Sequence, residues 1–231
     1  KITVNSGQNI ILNLQDRTLT ATSQNALELL SGSKVEFVSG TIATTQSSGA
    51  VNVTPGSEFI MREAEIRATG SNVKQALYIN GGNATIYAGA KLSSSSTSRA
   101  TVHLLCKSNI TPACTTPGSL TILGGTIESS GAFAIYNEKG TLVIGDKDGD
   151  ITAEDPLISG ETYGVLSYDS FSFYDGTIRG KTYPVAKASA RSDNPGIQTD
   201  TNFDKIGDIE EYSLKYSDTD GDYNTLYLIN E

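Results

Sequence analysis

The sequence predicts an all-β protein: a parallel β-helix solenoid of about eight coils, finished by a C-terminal β-hairpin cap. Three observations carry this reading. Short runs alternate apolar and polar residues, the period of a strand that buries one face. The same apolar spacing returns at a near-constant interval along most of the chain. Glycine, serine and threonine are frequent, and helical periodicity is scarce. An antiparallel sandwich would use similar short strands. It has no need of one spacing repeated in seven places.

The repeated unit is an apolar-x-apolar pair followed, about five positions on, by a third apolar residue. Leu12, Leu14 and Leu19 fit, as do Val35, Phe37 and Ile42, then Phe59, Met61 and Ile66. Leu120, Ile122 and Ile127 follow the same spacing, as do Phe171, Phe173 and Ile178. Ala84, Ile86 and Leu92, and Leu142, Ile144 and Ile151, fit with small insertions. Gly40, Gly89, Gly124, Gly125, Gly149 and Gly176 fall in the gaps, where a bend needs unusual dihedrals or close backbone approach. A second strand follows each block: "ALEL" at Ala26, "AVNV" at Ala50, "ALYI" at Ala76, "TVHL" at Thr101 and "AIYN" at Ala134. "GVLS" at Gly164 and "PVAK" at Pro184 are weaker copies. The third apolar anchors are 23, 24, 26, 35, 24 and 27 residues apart, a steady period with one long insertion. Stacked units pair each strand with its copy in the next coil, roughly 4.8 Å away.

These repeats occupy residues 1–193. Residues 194–231 are richer in charge and tyrosine, and "YSLKY" and "YNTLYLI" around "SDTDGD" read as a hairpin. It belongs to the same structural domain and covers the open edge of the last coil.

Composition excludes several function classes. The net charge is −9, with only 17 lysines and arginines, which disfavours binding to nucleic acid or to an anionic membrane. No run approaches the ~20 apolar residues that span a bilayer. "KITVNSGQ" does not look like a signal peptide. One histidine, one methionine and no tryptophan leave little for histidine catalysis or transition-metal binding. No Ser-His-Asp order, phosphate loop or dinucleotide fingerprint is present.

The middle position of the second strand points outward when its neighbours point in. Successive coils place Glu28, Asn52, Tyr78, His103 and Tyr136 there. Tyr78, His103 and Tyr136 are therefore expected as an exposed aromatic ladder, suited to stacking on sugar rings. The alternative is that they only stabilise the sheet across strands. His103 has no partner close in sequence, and no residue is assigned a catalytic role. "DKDGD" sets Asp146, Asp148 and Asp150 at alternate positions, and "DTDGD" repeats the pattern from Asp218. Such turns can supply oxygen ligands to calcium, the one cofactor considered, although Asp-Gly also marks an ordinary turn. Cys106 and Cys114 flank "KSNITPA" in the coil with the long insertion. A disulfide there would tie down the loop, worth about 2.5 kcal/mol. Glu63, Glu65 and Arg67 share one strand face and come nearest to a hydrolytic cluster. A solvated face with an ion pair explains them as well.

"NIILNLQDRTLTA", "GSLTILGGTIESSGAFAIYN", "TLVIGDKDGDITAEDPLISGETYGVL" and "FSFYDGTIRGK" resemble the repeats of large secreted or wall-attached bacterial surface proteins, of the Gram-positive gut type. The resemblance spans roughly residues 5 to 190 and extends to the "DGDYNTLYLI" tail. It implies a right-handed parallel β-helix of the pectate-lyase-like type, and an extracellular location. It supplies no catalytic motif. The function expected is a non-catalytic module of a larger surface protein, a stalk or an adhesive face. Its partner would be a glycan or a host surface protein. The alternative is a polysaccharide lyase or glycoside hydrolase on the same fold.

Overall fold

Alternating apolar residues build strands, and strands supply the regular structure. No helix occurs among the described residues. The computed structural model describes residues 1–22, 25–45, 49–70, 75–109, 111–146, 155–168, 171–188, 212–220 and 222–230.

The second strand of every repeat goes into one sheet. Eight strands lie side by side in chain order: Ile2–Val4, Leu27–Leu29, Val51–Val53, Leu77–Asn80, Val102–Leu105, Ile135–Asn137, Tyr163–Ser167 and Tyr183–Lys187. Every pairing is parallel. This sheet does not close.

The first strands form a thirteen-stranded sheet. Three long strands begin it: Asn9–Ala21, Lys34–Thr44 and Glu58–Ala68. Beyond them each coil contributes two short strands, and Asn83–Ile86 and Lys91–Ser94 pair with different halves of Glu58–Ala68. Two apolar columns result. One runs Leu12, Phe37, Met61, Ile86, Ile122, Ile144, Phe173. The other runs Leu19, Ile42, Ile66, Leu92, Ile127, Ile158, Ile178. From Phe37 and Ile42 onward these side chains and the inward residues of the eight-stranded sheet, such as Leu27, Leu77 and Val102, form one continuous buried core, against which the half-buried Leu12 and Leu19 pack.

Two registers differ from the spacing read in the sequence. In the first coil Ile10 and Leu12 pair with Val35 and Phe37, so Leu14 is not the second member of the pair. The strand is irregular between Leu12 and Thr18, where Gln15 has φ 53°. Extra residues at a bulge displace the pattern without moving Leu19 off its column. In the later coil Ile158 takes the place assigned to Ile151, because it pairs with both Ile127 and Ile178. Ile151 itself lies outside the described residues.

Tyr212–Asp220 and Tyr223–Asn230 form an antiparallel hairpin. Its second strand runs antiparallel along Thr177–Gly180, with Leu226 opposite Ile178 and almost fully buried. The boundary placed at residue 193 lies outside the described residues.

Candidate functional site

Parallel pairing in register stacks equivalent residues of successive coils. On the outer face of the eight-stranded sheet it produces the row Thr3, Glu28, Asn52, Tyr78, His103, Tyr136, Leu166, Ala186. Tyr78, His103 and Tyr136 are therefore neighbours. The His103 ring stacks on Tyr136 at 4.8 Å between centroids and meets the edge of Tyr78 at 5.6 Å.

The ladder is not fully exposed as expected. His103 is only 5% exposed, while Tyr78 and Tyr136 are half-buried. The two flanking rings cover its faces, and polar groups from adjoining coils close its edges. Gln75 Nε2 donates to Nδ1 at 3.2 Å, and Nε2 faces Glu138 Oε2 at 3.0 Å. This pattern fits a neutral imidazole with its proton on Nε2. Burial outweighs the Glu138 carboxylate and brings the His103 pKa down to about 4 from its ordinary 6.5. Burial also raises the Tyr78 hydroxyl above its usual range, with a further push from Glu138. Glu138 also faces Lys107 Nζ at 3.5 Å.

Beside this ladder lies an open cleft of about 300 Å³. Three amides line it, Asn25, Asn52 and Gln75, with Tyr78 and His103 as aromatic walls and Arg99 and Lys107 as cations. Asn52 Oδ1 is buried and has no donor among the described residues. Its amide nitrogen reaches Glu28 at 3.4 Å. The long insertion sets Lys107 in place. Cys106 and Cys114 form a disulfide, and Cys114 N–H donates to the Lys107 carbonyl at 2.9 Å. Lys107 N–H donates to Asn80 Oδ1 at 2.9 Å, and Asn80 Nδ2 donates to the Pro112 carbonyl at 3.3 Å.

Sequence reasoning missed several contributors. Gln75, Arg99, Lys107 and Glu138 were not singled out, and neither was a second aromatic row. Phe133, Tyr163 and Tyr183 stack at about 6 Å intervals, 6.1 and 6.0 Å. With Tyr136 they pack against Leu166, Ala186 and Ala188, a small apolar cluster separate from the main core. Phe133, Tyr163 and Tyr183 each stand two places before a core residue, Ile135, Val165 and Val185, a column that a longer repeat alignment would have exposed.

Other candidates sit elsewhere. Asp146 is exposed, while Asp148 and Asp150 lie outside the described residues, as do the side chains of Asp218 and Asp220. Among the described residues no group of three histidine, cysteine or acidic side chains is placed to hold a metal ion. Glu65 accepts from Thr41 at 3.1 Å and faces Arg67 at 3.8 Å. With Lys91 and Glu128 it borders a second open cleft, of about 340 Å³, on the thirteen-stranded sheet. Glu63 stands exposed on the same strand face.

Comparison with protein-family models, with curated proteins and with solved structures finds no match for this chain.

Proposed function

We propose that the chain is a right-handed parallel β-helix module of an extracellular bacterial surface protein, and that the cleft beside Tyr78 and His103 holds a saccharide without cleaving it. Equivalent strands that pair in parallel at intervals near 24 residues support the solenoid reading. The composition of the cleft carries the binding reading. Amides, two aromatic rings and cations line it, with no aliphatic side chain among them. Such a lining suits a ligand rich in hydroxyls, because amides donate and accept while a ring face covers the apolar side of a sugar. The buried Asn52 Oδ1 offers an acceptor to a hydroxyl donor. The sheet holds Asn52, Tyr78 and His103 in register, so little ordering entropy is lost at these three on binding.

The test is a glycan array with the purified domain, with and without calcium, alongside a cleavage assay on the same polysaccharides. Binding that Tyr78→Ala removes, with no cleavage, is the expected result. Cleavage would move the assignment to the lyase or hydrolase alternative, with the Glu65 cleft as the place to look. Binding untouched by Tyr78→Ala would refute this site.

A further inference from the structure

We propose that the saccharide in this cleft is acidic: a sugar ring with one anionic substituent that sits between Arg99 and Lys107. This rests on the saccharide-binding reading above and names its ligand class. A net charge of −9 disfavours anions on average. The cleft departs from that average, with two cations and no carboxylate among its lining residues.

The two cations are not equivalent. Lys107 is shared with Glu138, whose carboxylate also faces His103. Arg99 is exposed and makes no ion pair with any described residue. Its planar fork matches a carboxylate or a sulfate in two parallel hydrogen bonds, and such charge-assisted bonds are among the strong ones. Lys107 adds a point charge from a backbone fixed by the disulfide loop and by Asn80. A neutral sugar would need the amides and Tyr78 but neither cation. Carboxylate and sulfate present the same chemistry to this pair, and the ligand series below tells them apart.

The experiment is calorimetric titration of the whole domain with lactose, sialyllactose and sulfated lactose, at low and at physiological salt. At least one acidic sugar should bind on the order of 10-fold more tightly than lactose, and added salt should weaken it. Arg99→Gln should erase most of that preference, and Lys107→Gln part of it. An unchanged melting temperature for Arg99→Gln would show that the fold is intact. Lys34→Gln, on the thirteen-stranded sheet, should leave the preference in place. Equal affinity for all three sugars overturns this inference and leaves the saccharide reading standing. A preference lost equally in Lys34→Gln also overturns it, since bulk charge then explains the effect. No binding of any of the three by the unsubstituted domain overturns both readings.

Discussion

At the scale of single residues, His103 decides how the site behaves with pH. Its folded pKa lies near 4, below the 6.5 of an unfolded histidine. Between these values the unfolded chain binds a proton that the folded chain refuses. The contribution of a neutral His103 is therefore complete above about pH 6.5 and is lost as pH falls towards 4, by on the order of 3 kcal/mol. Melting temperatures of the unsubstituted protein and of His103→Gln, compared from pH 7 down to 4.5, isolate this term from the carboxylates. The unsubstituted protein should lose more stability on acidification than the variant; equal losses would mean that His103 is not buried as a neutral ring. The adjacency of Tyr78, His103 and Tyr136 was legible, because strand pairing fixes which residues stack. The burial of His103 was not. Its partners Gln75 and Glu138 come from positions 28 and 35 residues away, and local alternation carries no sign of them.

At the scale of strands and bends, the repeat was legible wherever side chains point inward. The columns through Phe37, Met61 and Ile122, and through Ile42, Ile66 and Ile127, follow from period two and a constant interval. The exceptions have local causes. Residues added between Leu12 and Thr18 shift the first pair, and a longer connection after Ile144 replaces Ile151 by Ile158. The glycine bends have a strict requirement. Gly125 has φ 88°, and a Cβ added there would lie 2.6 Å from the Ala90 carbonyl oxygen of the preceding coil. Gly125→Ala is expected to cost roughly 2 kcal/mol or more, since both the backbone conformation and the contact oppose it. Chemical denaturation would show a lower midpoint with an unchanged slope; a midpoint within error of the parent would contradict the close packing of coils at this bend.

At the scale of the whole molecule, the problem is open sheet edges: Ile2–Val4 and Tyr183–Lys187 end the eight-stranded sheet, and Asn9–Ala21 and Ser172–Phe173 are end strands of the thirteen-stranded one. Thr177–Gly180 is not left as a further edge, because Tyr223–Asn230 pairs along it. At the other end of this sheet, Asn9–Ala21 pairs, among the described residues, only with Lys34–Thr44. Its bulge, with exposed Gln15, Asp16 and Arg17, discourages another strand from adding there. Removal of residues 212–231 should therefore create an association-prone edge. Light scattering after size exclusion should find larger species in the truncated protein alone; a monodisperse truncated monomer would show that the hairpin is not a protective cap. The central claim of the account is saccharide binding beside Tyr78 and His103, and the chain's single histidine makes it directly observable. The measurement is the imidazole proton resonances of His103 during titration with sialyllactose. Saturable shifts of those resonances, absent in Tyr78→Ala, are the predicted result. Binding that leaves the His103 signals unmoved would place the ligand elsewhere and contradict the account.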